Sequence, residues 1–152
     1  MTASPVLPSV LPFVSVIIPI YNGEEDLPDL MACLWRQTYP AQRVEYLLVD
    51  NNSSDRTYSL LQSYAKQAES NGLTLRTLQE NTIQSSYAAS NQGIRLAKGE
   101  IVAFTDADCR PDATWLEELV QPFWDSDENS LQDDSDSDNV RQKTSHHASN
   151  TG

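Results

Sequence analysis

Short apolar runs alternate with segments of helical periodicity along the first 124 residues, and this alternation constrains the fold more than any other feature. Each run is short and apolar or alternating, which is typical of strands in a sheet that is covered by helices. Pro19 lies near the end of the first run and is expected to stop pairing there. The predicted strands are VSVIIPI at 14–20, VEYLLV at 44–49, LTLRTL at 73–78 and IVAFT at 101–105.

Apolar residues between these strands recur at helical spacing. They predict an amphipathic helix over 24–37, with Pro28 in its first turn, where its missing N–H costs little. We expect Ser53, Ser54 or Asp55 to cap the second helix. The order βαβαβαβα implies an α/β, Rossmann-like fold with a mainly parallel sheet and helices on both faces. The later helix boundaries are predicted at Asn71–Gly72, Lys98–Gly99 and Pro111–Asp112.

Composition divides the chain into three parts. Residues 1–12 hold three prolines and are expected to form an irregular lead, whereas residues 13–124 carry the alternating pattern of one domain. Residues 125–152 are polar and acidic, with almost no apolar side chain. Such a segment cannot bury enough surface to offset the entropy of ordering it, so we predict that it is disordered.

Charge, hydropathy and cysteine content exclude several classes of protein. The net charge of −12 argues against a nucleic-acid binder, which would present a basic face. The longest apolar run, VSVIIPIY, is far shorter than a membrane span, and the first residues lack the basic start of a signal peptide. Cys33 and Cys109 form no pair of metal-ligand motifs. We therefore expect a cytoplasmic protein with reduced thiols and no membrane span.

Three polar clusters follow predicted strands: YNGEE at 21–25, DNNSSD at 50–55 and TDADCR at 105–110. Ligands of open parallel sheets bind beyond the carboxyl ends of the strands, so we expect the clusters to share one edge. Asp106 and Asp108 flank a single residue, and their like charges repel unless a cation neutralises them. Mg²⁺ or Mn²⁺ does this with oxygen ligands, and phosphate oxygens of a substrate would complete the shell. The pattern implies a metal-bound diphosphate.

Other readings of these residues are open at this point. Asp106 and Asp108 can be solvated turn residues, with Asp108 or Asp112 serving as a helix cap, and Asp50 also suits a turn. Cys109 is interpreted as a small, partly buried residue. A dinucleotide-binding domain is disfavoured because no G-x-G-x-x-G follows the first strand. A phosphatase with Asp106 as nucleophile is disfavoured because its motif would fall more naturally on the first strand.

Residues 14–122 resemble a family-2 glycosyltransferase of the GT-A fold. The resemblance is carried, in the expected order, by VSVIIPIYNGEEDLPDL, VEYLLVDNNSSDRT, SSYAASNQGIRLAKGE and IVAFTDADCRPDATWLEEL. It implies a nucleotide-diphospho-sugar as ligand. By this resemblance Pro19, Tyr21 and Asn22 match the first nucleotide-contacting loop, and Glu24 lies near the nucleoside.

The resemblance also assigns roles beyond that loop. Asp50 matches an aspartate that contacts the nucleotide, and Asn51 stands where the family often has a second aspartate that reads the base. Asp106 and Asp108 match the D-x-D motif that binds the metal, and Asp106 also contacts the nucleotide. Ser90 replaces an arginine that the family often carries at that place, which removes a bidentate partner for a phosphate or carboxylate.

In the resembling family an acceptor-binding half with the catalytic base follows the D-x-D helix. After residue 124 this sequence has only the polar segment, so we expect a donor-binding half that is truncated, and we assign no catalytic residue. The resemblance implies metal-dependent transfer of a sugar from a nucleotide-diphospho-sugar to an unknown acceptor. The alternatives are a non-catalytic nucleotide-sugar-binding fragment, completed by a second chain, and an inactive remnant.

Overall fold

A computed structural model describes the backbone of residues 11–129 and the side chains of residues 11–123. Strands and helices alternate as predicted. The elements are β1 (Val14–Ile20), α1 (Leu27–Trp35), a 3-10 turn (Ala41–Arg43), β2 (Val44–Asp50), α2 (Thr57–Ser70), β3 (Thr74–Gln79), α3 (Ser86–Leu96), β4 (Ile101–Phe104) and α4 (Trp115–Asn129).

The sheet has four parallel strands in the order β3-β2-β1-β4. β1 is central, and Val14 is in register with Val44 of β2 and with Ile101 of β4. Every residue of β2 is buried, whereas the residues of the edge strand β3 are exposed or half-buried. The continuous apolar runs of β1 and β2 therefore reflect burial on both faces, and the alternation in β3 reflects its place at an edge.

Helices cover both faces of the sheet, which confirms the prediction. On one face Val16 and Ile18 of β1 pack in a single core with Leu30 of α1, Leu61 of α2 and Leu116 of α4. Successive side chains of a strand point to opposite faces, so Ile17 lies on the other face.

α3 covers that second face through small residues. A Cβ placed on Gly93 would lie 2.7 Å from Cγ2 of Ile17, so the helix approaches β1 closely only because position 93 is a glycine. Ala89, one turn earlier, is also buried.

Pro19 behaves only partly as predicted. Pairing of β1 with β4 ends at Ile17, but pairing with β2 continues through Pro19 to Ile20. The Ile17 carbonyl accepts from the Thr105 N–H on the β4 side, and residue 19, two positions on, faces the same side. The missing N–H of Pro19 therefore falls where the β4 ladder has already ended.

Helix starts differ from the sequence expectations. α1 begins at Leu27 rather than at residue 24, with Pro28 in its first turn as predicted. The N-cap of α2 is Arg56 and makes no side-chain capping bond, so the expectation that Ser53, Ser54 or Asp55 caps this helix is wrong. Ser53 and Ser54 bind Asn22 of the loop after β1 instead, and Asp55 accepts hydrogen bonds both from that loop and from Thr57, the first residue of α2. α4 begins at Trp115, after a turn in which the Trp115 N–H donates to the Asp112 carbonyl.

The C-terminal helix α4 continues to Asn129, past the boundary at residue 124 that we expected between the domain and the polar segment. Residues 130–152, on which most of the disorder prediction falls, lie outside the described residues, as do residues 1–10. Within residues 11–129 no helix is both long enough and apolar enough to cross a membrane.

The amino ends of the strands hold a buried polar network. Glu45, which is 2% exposed, accepts hydrogen bonds from the Ser15 hydroxyl at 2.7 Å and from the Lys98 N–H at 2.8 Å. The Ser15 hydroxyl in turn accepts from the Gly99 N–H at 2.8 Å. This network ties β1, β2 and the loop before β4 together at the edge of the sheet opposite to the polar clusters.

Candidate functional site

The three polar clusters meet at the carboxyl edge of the sheet, as the sequence predicts. They belong to the first rim loop (residues 21–26, after β1), the second rim loop (51–56, after β2) and the third rim loop (105–114, after β4). β1 lies between β2 and β4, so the first rim loop can contact both of the others.

Asn22 is the main junction between the first and second rim loops. Its N–H donates to the Ser53 hydroxyl at 2.8 Å, and its Oδ1 accepts from the Ser54 N–H at 2.8 Å and from the Ser54 hydroxyl at 3.3 Å. Asn22 has φ of +47°, a left-handed conformation that asparagine tolerates better than most residues. Position 22 therefore favours asparagine for its backbone as well as for its amide.

Gly23 and Glu24 extend this junction. The Gly23 N–H donates to the Thr57 hydroxyl at 2.9 Å, and the Glu24 N–H donates to Asp55 Oδ2 at 3.3 Å. The Glu24 carboxylate accepts from Nε of Arg56 at 3.1 Å and from the Arg56 N–H at 3.2 Å. The Glu24 carboxylate is thus bound by Arg56 of the second rim loop.

Asp55 is the acceptor at the centre of these contacts. Its Oδ1 accepts from the Thr57 hydroxyl at 2.5 Å and from the Thr57 N–H at 2.9 Å. Burial alone would raise the pKa of Asp55, but the hydrogen bonds from Thr57 and from the Glu24 N–H outweigh it and hold that pKa below its ordinary value. The ionised carboxylate is the form that joins the two loops.

Asp50 ends β2 and Asn51 follows it, and both are buried, with 2% and 3% of their surface exposed. Asp50 Oδ1 accepts from the Ser53 N–H at 3.3 Å, which is the turn chemistry that the sequence left open for this residue. The Asn51 amide donates to the carbonyl oxygens of Glu80 at 3.0 Å and Ile83 at 2.9 Å. Both N–H groups of the Asn51 amide are therefore committed to the segment after β3.

That segment, residues 80–85, forms a fourth rim loop that the sequence analysis treated only as a polar connection. Glu80 is 6% exposed, and its carboxylate accepts from the Ile83 N–H at 3.1 Å and from the Gln92 amide at 2.7 Å. Ile83 and Tyr87 remain 59% and 75% exposed beside it. The signal for this loop was present, because Glu80 directly follows a strand of the same parallel sheet.

Asp106 and Asp108 lie in the third rim loop and are both exposed. One ligand atom from each of them and from Cys109 fall within 4.8 Å of one another, and Cys109 Sγ lies 3.9 Å from Asp108 Oδ1. Neither carboxylate accepts a hydrogen bond from a nitrogen or oxygen atom in the part of the chain that the structure describes. Their oxygens are therefore available to an external cation.

The side chain of Arg110 holds the backbone of the third rim loop. The sequence analysis did not identify this residue. Its Nη1 donates to the carbonyls of Ala107 and Cys109, both at 2.9 Å. Its Nη2 donates to Oδ1 of Asp26 at 2.7 Å. In the sequence, the one sign of this role is that an arginine stands within the acidic cluster TDADCRPD.

The remaining predicted residues border the first rim loop. Tyr21 is 56% exposed, so its ring faces solvent, and Pro19 is half-buried at the end of β1. The structure thus brings the first, second and third clusters to one rim, with the Asp106–Asp108 pair and Tyr21 presented outward. Asn22, Glu24 and Asn51 direct their polar atoms into contacts between loops.

Comparison with known proteins identifies the family of this arrangement. The family model described as glycosyl transferase family 2 matches residues 15–151. Glycosyltransferase AglE of Haloferax volcanii is 43% identical over 112 residues, which is 74% of this chain and 36% of the relative. A poly(ribitol-phosphate) beta-glucosyltransferase of Bacillus spizizenii is 33% identical over 95 residues, 62% of this chain and 14% of the relative. The chain therefore spans well under half the length of these relatives.

Solved structures agree with this assignment. The mannosyltransferase PcManGT of Pyrobaculum calidifontis, in complex with GDP-Man and Mn²⁺, has a TM-score of 0.66 at 29% identity, over 76% of this chain and 33% of its own. S. aureus TarS 1-349 in complex with UDP has a TM-score of 0.65 at 30% identity, over 75% of this chain and 32% of its own. The same TarS fragment has also been solved with UDP-GlcNAc.

Replacing Asn51 by aspartate tests the junction with the fourth rim loop. In Asn51→Asp an ionised carboxylate would face two carbonyl oxygens and could donate to neither, so we expect a loss of about 1–3 kcal/mol in the free energy of unfolding. Urea unfolding at pH 7 measures it, with Asn52→Asp as the control because Asn52 is exposed. Equal stability of Asn51→Asp and the parent chain would contradict the assignment.

Replacing Asp55 by asparagine tests the charged junction. Because the pKa of Asp55 is lowered by folding, its ionised form contributes stability above about pH 4, and that contribution is lost as the pH falls through the lowered pKa. We expect Asp55→Asn to lose roughly 1 kcal/mol at pH 7 and progressively less in acid. Urea unfolding from pH 3 to 7 measures this, with exposed Glu69→Gln as the control. A difference that does not change with pH would refute it.

Proposed function

The chain belongs to glycosyl transferase family 2, and on that basis we propose that its rim binds a nucleotide-diphospho-sugar together with a divalent cation, Mn²⁺ or Mg²⁺. The observation that carries the proposal is the exposed pair Asp106 and Asp108. Within the described residues their carboxylates accept no hydrogen bond from nitrogen or oxygen, and Arg110 holds the backbone of their loop through two carbonyls. A parallel α/β sheet of this kind binds its ligands at this edge.

Asp106 and Asp108 fit a hard divalent cation. Their carboxylates supply the oxygen ligands that Mn²⁺ and Mg²⁺ prefer, and two protein ligands leave positions for phosphate oxygens and water. When bound, the cation would neutralise the diphosphate and so stabilise the nucleoside diphosphate as a leaving group. The resemblance also assigns Asp106 to nucleotide contact, and its place just beyond the carboxyl end of β4 supports that assignment.

The nucleoside part of the ligand is assigned to the first and second rim loops. Tyr21 offers an exposed aromatic ring, and Asp50 offers a carboxylate at the carboxyl end of β2. Asn22, Glu24 and Asn51 shape this part of the site through their contacts between loops. Pro19 lies at the end of β1, next to the first rim loop and beyond the last residue of β1 that pairs with β4.

Known neighbours support the ligand class. PcManGT was solved with GDP-Man and Mn²⁺, and TarS with UDP and with UDP-GlcNAc. These neighbours carry different nucleotide bases, and in this chain both amide N–H groups of Asn51, where the family often has a base-reading aspartate, are committed to protein carbonyls. Base preference is therefore assigned to groups other than the N–H donors of Asn51.

Transfer to an acceptor is the proposed activity of the complete protein. A catalytic base must lie within hydrogen-bond reach of the acceptor hydroxyl, and among the described residues we assign none. The chain spans 36% of AglE and 33% of PcManGT, so it covers only part of each. The second candidate is a nucleotide-sugar-binding module that another chain completes, and it is supported by the lack of an assigned base among the described residues. Transfer by the 152-residue chain without a partner would contradict this second candidate.

Replacing Asp108 by asparagine tests the metal role. We expect the parent chain to bind UDP, GDP or dTDP more tightly with Mn²⁺ than without it, and we expect Asp108→Asn to lose that dependence because one of the two anionic ligands is gone. Isothermal titration calorimetry measures the affinities. Asp112→Asn, an exposed residue of the same loop, is the matched control.

Circular dichroism and thermal unfolding should show that Asp108→Asn remains folded, since the carboxylate makes no internal bond to nitrogen or oxygen in the described part of the chain. Unchanged Mn²⁺-dependent affinity in a folded Asp108→Asn would refute the metal role. A folded parent chain that binds none of the nucleotides would refute the proposed donor site.

A further inference from the structure

The guanidinium of Arg110 makes three hydrogen bonds and one longer ion-pair contact. One guanidinium nitrogen donates to two carbonyls of its own loop, those of Ala107 and Cys109, and another donates to Asp26 at 2.7 Å. Nε lies 3.9 Å from Oδ2 of Asp29 in the first turn of α1. The guanidinium therefore connects the third rim loop to the first rim loop and to α1.

The two carbonyls that Arg110 binds flank Asp108, one of the two proposed metal ligands. Ala107 precedes Asp108 and Cys109 follows it, so the backbone is fixed on both sides of Asp108. A third bond, from the Cys109 N–H to the Asp106 carbonyl at 3.1 Å, closes the turn that carries both carboxylates. The spacing between Asp106 and Asp108 thus depends on a turn that is held by this backbone bond and by the Arg110 side chain.

Asp26 is available to Arg110 because it does not cap its own helix. It occupies the N-cap position of α1 but makes no side-chain capping bond, and its N–H donates to the Gly23 carbonyl at 3.0 Å. The Asp26–Arg110 bond therefore joins the turn at Gly23, next to the Asn22 junction, to the loop of the acidic pair. Arg110 therefore links the loop that carries Asp106 and Asp108 to the first rim loop.

The far end of the third rim loop is held independently of Arg110. The Gln37 amide donates to the Asp112 carbonyl at 2.7 Å, and the Thr38 N–H donates to the Ala113 carbonyl at 2.9 Å. Loss of Arg110 would therefore free the segment around Asp108 while α4 stays anchored.

We propose that Arg110 is a positioning residue for the metal site, acting through the backbone of Ala107 and Cys109 rather than through contact with the cation or the nucleotide. The inference rests on the proposed function, because it needs Asp106 and Asp108 to bind a divalent cation. Replacing a residue that orients metal ligands without itself binding the metal lowers metal affinity by about 10- to 100-fold.

The positioning role and a purely electrostatic role predict opposite signs. A guanidinium in the same loop repels a divalent cation, so if charge were its only influence, removing it would strengthen metal binding. If Arg110 fixes the ligands, removing it weakens metal binding despite the lost repulsion. Lysine keeps the charge but lacks the planar fork that reaches two carbonyls and a carboxylate together.

The test measures Mn²⁺ binding to the full chain by electron paramagnetic resonance of the free ion, with Mn²⁺ alone and with Mn²⁺ plus UDP. Binding at this site is defined as the part that Asp108→Asn abolishes, which separates it from weak binding by acidic residues elsewhere. The variants are Arg110→Gln, Arg110→Lys and Asp26→Asn, with Arg56→Gln as a control arginine in the second rim loop. Thermal unfolding of each variant is measured alongside.

We expect Arg110→Gln and Arg110→Lys both to weaken site-specific Mn²⁺ binding by about 10-fold or more, and Asp26→Asn to weaken it less, because the two carbonyl contacts survive. Arg56→Gln should leave it within about 3-fold, since Arg56 contacts only Glu24 across the rim. Asp26→Asn keeps the inference testable if an Arg110 variant does not fold.

Tighter binding in Arg110→Gln, or parental binding in Arg110→Lys, would overturn the positioning role while leaving the metal site in place. Equal Mn²⁺ binding by the parent chain and Asp108→Asn would overturn the proposed metal site itself, and the inference with it.

Discussion

Hydrogen bonds between the rim loops are the interactions on which the rest of the site depends. A parallel sheet brings the carboxyl ends of its strands to one edge, but it does not fix the loops that leave them. Here the left-handed turn at Asn22 presents its N–H and its amide oxygen to Ser53 and Ser54. The ionised Asp55 binds the start of α2 and the N–H of Glu24. The first and second rim loops therefore form one connected surface.

The acidic pair shows the complementary arrangement. Most polar side chains of the first and second rim loops make internal hydrogen bonds, whereas Asp106 and Asp108 are exposed on a backbone that Arg110 holds. Two like charges kept close on a fixed turn repel, and a divalent cation relieves that repulsion. The loop thus holds the charges together in advance of any ligand, which lowers the cost of ordering them when the cation and diphosphate bind.

The sequence was sufficient for the strands and for their common edge, because buried parallel strands read as apolar runs and the chain alternates them with helices. It was not sufficient for the helix starts. Ser53 and Ser54 suit an N-cap by local chemistry, but Asn22, about thirty residues earlier, binds them instead, and no local rule contains that partner. Asp55 accepts from Thr57 at the start of α2 and also from the distant N–H of Glu24. The contacts of Asn51 and Arg110 were missed for the same reason, since they join loops far apart in sequence.

The most direct test of the account is to map where Mn²⁺ and UDP bind on the full chain by paramagnetic broadening of backbone amide resonances in nuclear magnetic resonance. The account predicts that amides of residues 105–110 broaden most and those of 21–24 and 50–55 broaden with them, because the loops form one rim. Amides around Glu45 and Lys98, at the opposite edge of the sheet, should stay sharp. Broadening confined to the acidic residues beyond 129, with the rim unaffected, would contradict the account.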